Sequence, residues 1–443
     1  MARLLIRGGR PLEGRVAIGG AKNSALPLIS AALLAGSGET VLDNVPHHSD
    51  VLDLCQIAQE LGAEAEFVGP HTLRLQATEL TSHVAPYRLA RRLRGSTYLV
   101  GALLARLGRA EVAFPGGCAI GSRPVDFHIK GLTALGAQMG VERGSLVGEV
   151  PPVAVGRPGR LQGARFYVDR ASFGTTINLM IAATLAEGNT VLESVAREPE
   201  VVDVANFLNR MGAKVRGAGT NVIRVDGVKA LTGATHEVIP DRLEAGTFLL
   251  AGAITGGSVR VDNVIAEHLH AVMTKLREAG AGIEDEHDSV TIFAPVRLRA
   301  VDIETQVHPG FPTDLQSPFL ACMAAADGVS VIHETVFENR FGCASELVRL
   351  GADVKVDGDR AIIHGVECLT GAPVEASDIR GGVALVLAGL AARGETEVAK
   401  ADLIDRGYDQ LENKLADLGA GISRLQDEAA EETAYASTLG AEG

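Results

Sequence analysis

The chain has 443 residues, of which 46% are apolar and 22% charged, and a formal net charge of −14. That length favours two domains over a single core, and the acidic balance disfavours general affinity for nucleic acid or anionic membranes. No apolar run approaches the roughly 20 residues that span a bilayer. The opening stretch MARLLIRGGRPLEG reaches an arginine and glycines too early for a signal-peptide core.

Five cysteines (Cys55, Cys118, Cys322, Cys343, Cys368) form an odd set without CxxC spacing. This argues against a disulfide framework or a structural zinc site and points to a reducing, cytoplasmic setting. No histidine cluster has metal-ligand spacing and no GxxxxGK[ST] loop occurs, so neither a metal nor a cofactor is expected.

Taken in chain order, a strand-like segment from Leu4 to Ile18 comes first and is followed by six similar units. Each unit begins with an apolar helix: Ala25 to Leu34, Ser96 to Leu107, Gly174 to Leu185, Gly246 to Ile254, Gln316 to Ala325 and Gly382 to Ala391. These are apolar on most faces and are therefore expected to be buried. A strand such as Thr190-Val191-Leu192 or Val329 to Ile332 leads to a second helix.

The second helix stops at a hydrophobe-Gly-Ala tripeptide. The glycines are Gly62, Gly136, Gly212, Gly280, Gly351 and Gly419, spaced 68 to 76 residues apart. Glycine there is the expected left-handed helix stop. The repeat resembles βαβαββ, and the fold class is α/β.

Six repeats over two domains give three each. One chain crossing is expected between Gly217 and Pro240. The leftover N-terminal segment is expected to complete the second domain, with another crossing near Gly19 to Lys22. The domains are accordingly 22–239 for repeats one to three, and 1–21 with 240–425 for repeats four to six. The acidic stretch 426–443 lacks an apolar face and reads as a flexible tail. Two crossings suit hinge closure over a cleft, a common place for a ligand.

A charge recurs at the start of each buried helix. Lys22, Arg94, Arg170, Arg242, Asp314 and Arg380 stand 37 to 42 residues before the six stop glycines. Helix N-termini carry partial positive charge, so basic residues are locally unfavourable there. Any one of them fits a solvated surface position, but five together point to an anionic ligand. The exception, Asp314 in HPGFPTDLQ, fits either a helix cap or a general base held ionised by neighbouring cations.

The stretch FPGGCAIGSRPVDFH (Phe114 to His128) places Cys118 in a glycine-rich turn near Arg123. An ordinary free cysteine and an activated thiol both fit these residues. Arg123, Pro124, Val125, Asp126, Phe127 and His128 fit either a turn leading into a helix or contacts to a nucleotide base. Asp405-Arg406-Gly407-Tyr408 supplies a further arginine before the last helix.

GGAKNSALP, FPGGCAIGSRPVDFH, AREPEVVD, PDRLEAGTF, PGFPTDLQ, ETVFENRF and LIDRGYDQLENKLADLGA together resemble the UDP-N-acetylglucosamine 1-carboxyvinyltransferase family of enolpyruvyl transferases. The resemblance runs from about Leu4 to Ile422 and touches all six units. It implies a two-domain inside-out α/β barrel of six βαβαββ repeats with a cleft between the domains. It also implies enolpyruvyl transfer from phosphoenolpyruvate to the sugar 3′-hydroxyl, through a tetrahedral intermediate, at the first committed step of peptidoglycan synthesis.

By the same resemblance Lys22, Arg123 and Arg406 would hold the phosphate and carboxylate of phosphoenolpyruvate. Asn23, Arg94, Arg123 to Phe127, Arg170, Ala171, Ser172, Phe173, Asp314 and Val336 would bind the UDP-sugar, and Arg380 joins the substrate-binding set. Asp314 would take the hydroxyl proton. Cys118 would protonate the methylene carbon, form a covalent phosphoenolpyruvate adduct and be the target of fosfomycin. The implied partners are the two small-molecule substrates, with no nucleic acid or membrane.

The family usually has Lys where Arg170 stands, commonly Ser at Gly19 and frequently His at Leu403. None of these departures removes a proposed catalytic group. A shikimate 3-phosphate enolpyruvyl transferase would share the repeats but lack the cysteine loop. A non-catalytic UDP-sugar-binding paralogue would not need Lys22, Cys118, Asp314 and Arg406.

Overall fold

The computed structural model describes residues 2–114, 125–152 and 159–426. The chain divides into two compact units, one built from the described residues between 19 and 241 and the other from residues 2–18 and 242–426. Cys118, Arg123, Pro124 and the acidic tail after Gln426 lie outside the described residues.

The repeat is clearest in the second unit. Strand Glu13–Ala17 comes before helix Arg242–Thr255 and strand Ser258–Asp262 in the repeat, although the chain passes through the other unit between them. Helix His270–Glu278 and strands Gly282–Asp285 and Ser289–Phe293 follow. Glu13–Ala17 pairs in parallel with Ser258–Asp262, Val16 lying opposite Val261, and the other pairs in that sheet are antiparallel. Val16, Val259 and Val261 point inward and are buried, the alternation expected of a sheet with one wet face.

The other strand of the N-terminal segment, Arg3–Arg7, closes a different sheet. It pairs antiparallel with both Glu395–Ala399 and Gly421–Leu425, with Leu4 and Ile6 fully buried. The first residues thus complete two sheets of the second unit. In the 19–241 unit the leading strand of repeat one is likewise supplied from afar. Thr235–Glu237 pairs in parallel with Thr40–Asp43. The middle repeat of that unit has a three-stranded sheet, with a single parallel bridge between Val84 and Glu111 beside it.

Helices fill the interior. Lys22–Ala32, Tyr98–Leu107 and Phe173–Ala183 belong to one core, and Arg242–Thr255, Gln316–Ala324 and Ile379–Ala391 to the other. Most residues of these helices are buried, because apolar side chains surround the axis. Sheets lie around the helices within each unit, the inside-out arrangement of an α/β fold.

Close approach depends on glycine. A Cβ on Gly101 would come within 2.3 Å of Asn178 Oδ1, which instead accepts a hydrogen bond from the Gly101 N–H at 2.7 Å. The six repeat-ending glycines all have left-handed φ, from 87° to 104°, as the stop requires.

Three of these helices have arginine at the C-terminal end, where carbonyls lack partners. Arg106 donates to Leu34 O, Ala77 O and Thr78 O. Arg160 donates to Leu185 O and Val228 O. Arg297 donates to Ala325 O, Ala326 O, Gly365 O and Val366 O.

Several helices start earlier than the apolar pattern predicts. Lys22–Ala32 begins three residues before Ala25, Arg242–Thr255 four before Gly246, and Ile379–Ala391 three before Gly382. The first turn is polar, because its N–H groups are the ones left for caps and ligands.

Candidate functional site

In the second unit the helix starts come together through side chains. Asp314 is the middle residue of the 3₁₀ turn Thr313–Leu315, which runs directly into helix Gln316–Ala324. Its Oδ1 accepts from Arg340 at 2.5 Å, and its Oδ2 from Arg380 at 3.3 Å. Arg340 and Arg380 are only 3% and 5% exposed. Two buried guanidinium groups converging on one carboxylate orient it closely and keep positive charge beside it.

Arg380 is the second residue of helix Ile379–Ala391, whose N-cap Asp378 accepts from the N–H groups of Arg380 and Gly381 at 3.0 and 3.1 Å. Its guanidinium also sits 5.2 Å from the ring centroid of Tyr408, a cation–π contact. The Tyr408 hydroxyl is 2.8 Å from Thr247 Oγ1, in the second turn of helix Arg242–Thr255. A chain of contacts therefore joins Asp314, Arg380, Tyr408 and Thr247 across all three helix starts. Arg406, half-buried, ends the 3₁₀ segment Ala401–Arg406 two residues before Tyr408.

Val336 is half-buried, and its N–H donates to Glu334 Oε1 at 2.8 Å. It lies four residues before Arg340, so one loop carries both.

In the 19–241 unit Lys22 is the first residue of its helix and is 7% exposed. Its Nζ lies 3.2 Å from Asp50 Oδ2, itself in the first turn of helix Ser49–Glu60. The cation at this helix start is thus balanced in part by the protein itself. Asn23 follows, half-buried, and then Ser24, fully buried, whose hydroxyl donates to Asp203. Asp203 also takes His236 Nε2 at 2.8 Å and the Ile239 N–H at 3.5 Å. That carboxylate ties the Lys22 helix start to the third repeat.

Arg94 opens the 3₁₀ turn Arg94–Thr97 and is half-buried. A Cβ on its neighbour Gly95 would lie 2.9 Å from Leu26 Cδ1, so the first two helix starts are in contact. The third start lies near the second, since a Cβ on Gly174 would be 3.9 Å from Tyr98 Cε1. Arg170 is exposed, while Ala171, Ser172 and Phe173 are half-buried. Ser172 caps helix Phe173–Ala183 by accepting from the Thr175 N–H at 3.3 Å.

Val125 precedes helix Asp126–Ala134, and Val125, Asp126 and Phe127 are all half-buried. Asp126 Oδ1 is buried without a hydrogen-bond partner. His128, in the same first turn, is 8% exposed. Burial pushes its imidazole down to about 4, against a smaller opposing pull from Asp126. Its Nδ1 faces Asn178 Nδ2 at 2.9 Å. Because Asn178 Oδ1 already accepts from Gly101, the Asn178 nitrogen donates, and the neutral ring carries its proton on Nε2.

Cys118, the thiol singled out in the sequence, lies outside the described residues, as do Arg123 and Pro124. The buried thiols of Cys55 and Cys343 are both pushed up to about 12, and that of Cys322 higher still. These three behave as core packing residues. Among the described residues no three His, Cys, Asp or Glu side chains group to hold a metal ion. No described helix is long and apolar enough to cross a membrane.

Arg340 and Asp50 were not singled out by the sequence analysis. Arg340 stands in the ETVFENRF motif, but its partner Asp314 is 26 residues away in sequence, so only the fold pairs them.

The sequence profile of the family described as EPSP synthase (3-phosphoshikimate 1-carboxyvinyltransferase) matches residues 6–415. A UDP-N-acetylglucosamine 1-carboxyvinyltransferase 2 of Symbiobacterium thermophilum is 59% identical over 424 residues, which is 96% of this chain and 98% of that one. A UDP-N-acetylglucosamine 1-carboxyvinyltransferase of Halothermothrix orenii is 48% identical over 426 residues, 96% of this chain and all of its own. Among solved structures, the enolpyruvyl transferase NikO from Streptomyces tendae superposes with a TM-score of 0.85 at 25% identity, covering 96% of this chain and 99% of that one. An EPSP synthase from Acinetobacter baumannii gives 0.72 at 19% identity, over 96% of this chain and 100% of that one, a likeness of fold alone.

Proposed function

The chain belongs to the UDP-N-acetylglucosamine 1-carboxyvinyltransferase family of enolpyruvyl transferases, and from that premise we propose that it transfers enolpyruvyl from phosphoenolpyruvate to the 3′-hydroxyl of UDP-N-acetylglucosamine. Phosphate is released, and the product is committed to peptidoglycan. The observation that carries this reading is the 59% identity, over 96% of the chain, to a relative bearing that name.

The chemistry is addition followed by elimination. The acceptor hydroxyl oxygen bonds to the central carbon of phosphoenolpyruvate while its proton leaves to Asp314. The methylene carbon gains a proton from Cys118, giving a tetrahedral intermediate. A proton then returns from the new methyl group to the Cys118 thiolate, the carbon–oxygen bond to phosphate breaks, the enol ether forms, and the proton held by Asp314 leaves with the phosphate.

Lys22, Arg123 and Arg406 hold the phosphate and carboxylate of phosphoenolpyruvate, and Arg380 belongs to the substrate-binding set. Fixed cations of this kind stabilise charge that develops in the transition state. Asn23, Arg94, Arg123 to Phe127, Arg170 to Phe173 and Val336 hold the UDP-sugar. The salt links from Arg340 and Arg380 support Asp314 in the role of base, since they fix the direction of its carboxylate. The half-buried positions of Val125 to Phe127 and Ala171 to Phe173 suit backbone contacts to a nucleotide.

Four free cysteines among the described residues support a cytoplasmic location. The test is direct detection of the product. Incubation with both substrates should yield UDP-N-acetylglucosamine heavier by one enolpyruvyl group in a mass spectrum, and an unmodified sugar nucleotide would overturn the reading.

A further inference from the structure

Glu334 has no place in the roles assigned above, yet it is 3% exposed and four donors converge on its carboxylate. Oε1 accepts from Thr305 Oγ1 at 2.8 Å, from the Val336 N–H at 2.8 Å and from the Phe337 N–H at 3.1 Å. Oε2 accepts from Thr313 Oγ1 at 2.9 Å. Thr335 braces the same spot, its N–H donating to Thr305 Oγ1 at 3.0 Å and its hydroxyl to Thr305 O at 2.5 Å.

Thr313 and Asp314 are neighbours in one short turn. The loop 334–340 grips that turn at two successive residues, Glu334 taking Thr313 and Arg340 taking Asp314. The same carboxylate fixes the N–H of Val336. Burying a carboxylate is costly, and well-packed apolar residues often match a buried charged group in stability. What the carboxylate adds is geometry: one group joins the turn that carries Asp314 to the backbone at Val336.

We propose that Glu334 is a positioning residue that sets the proton-accepting carboxylate of Asp314 against the acceptor sugar held at Val336. The inference rests on the reading of Asp314 and Val336 given under Proposed function. It does not require Glu334 to touch substrate.

Steady-state kinetics on three variants test it. In E334A the turn and the loop lose their common anchor. The expected effect is a kcat lower by about 100-fold, the scale of a small misplacement of a reacting group. KM for UDP-N-acetylglucosamine should rise by about 10-fold, while KM for phosphoenolpyruvate stays within about 3-fold. In E334Q the amide oxygen keeps the three Oε1 bonds, and the Thr313 hydroxyl turns to accept from the amide nitrogen. That variant should stay within about 3-fold of wild type in all three constants. T313V cuts only the link to the base and should lower kcat by about 10-fold with both KM values nearly unchanged.

A merely structural role would reduce the folded fraction of E334A without moving kcat per folded site or either KM, and would leave T313V at wild-type kcat. Either result overturns the proposal. If E334A does not fold, T313V and E334Q decide alone. Wild-type protein without turnover on UDP-N-acetylglucosamine would refute the functional reading and this inference with it. Normal wild-type turnover with an unaffected T313V refutes the inference alone.

Discussion

Replacing His128 with Gln should flatten the acid sensitivity of the protein. The His128 imidazole is buried, and its folded pKa is lowered to about 4, chiefly by burial and against the pull of Asp126. The unfolded chain protonates histidine near about 6.5. Between those values the unfolded state binds a proton that the folded state refuses, so stability falls as pH falls. The contribution is fully present above the unfolded value. By about pH 5 it has lost about 2 kcal/mol, and below the folded value the loss levels off at about 3 kcal/mol.

Gln has no titrating group and can still offer an acceptor to Asn178 Nδ2, the neighbour now bonded to His128 Nδ1. Urea unfolding followed by far-UV circular dichroism, at about pH 7 and about pH 5, gives the comparison. Carboxylates that titrate in the same range are common to both proteins and cancel. Wild type should lose about 2 kcal/mol more than H128Q across that interval. Equal losses would refute a buried neutral His128.

Three other substitutions probe the proposed chemistry and its scaffold. Cys118→Ala should abolish turnover while UDP-N-acetylglucosamine still binds, and fosfomycin should add mass only to the Cys118 peptide of the wild-type enzyme. Retained turnover, or labelling elsewhere, contradicts the role. Asp314→Asn should lower kcat by about 100- to 10,000-fold, the range for loss of a general base, and a kcat within about 3-fold of wild type contradicts that assignment. Asp203→Ala removes the shared partner of Ser24, His236 and Ile239. It should cost about 3–5 kcal/mol in denaturant unfolding, and a loss below about 1 kcal/mol would show the network to be dispensable.

The repeat was legible because its punctuation is physical. Gly62, Gly136, Gly212, Gly280, Gly351 and Gly419 occupy left-handed positions that few other residues tolerate, and the helices between them are apolar all round. The starts of those helices were harder to place, since Lys22, Arg242 and Ile379 open polar turns that the apolar pattern does not reach. Long-range completion was only partly legible. The leftover segment from Leu4 to Ile18 signalled a missing partner, but nothing near Thr235–Glu237 marks it as the strand that completes the first repeat.

Lys22, Asp314 and Arg380 were visible as charges that recur at helix starts. Their partners Asp50 and Arg340 were not, because those pairings depend on side chains 28 and 26 residues apart. The same holds for Glu334, whose donors come from the 305, 313 and 336–337 stretches of the chain.

Transfer of enolpyruvyl to a UDP-sugar is the activity proposed for this chain. The most direct measurement is phosphate release from phosphoenolpyruvate with UDP-N-acetylglucosamine or shikimate 3-phosphate as the sole acceptor. Release is expected with the UDP-sugar and none with shikimate 3-phosphate. Release only with shikimate 3-phosphate, or with neither acceptor, would contradict it.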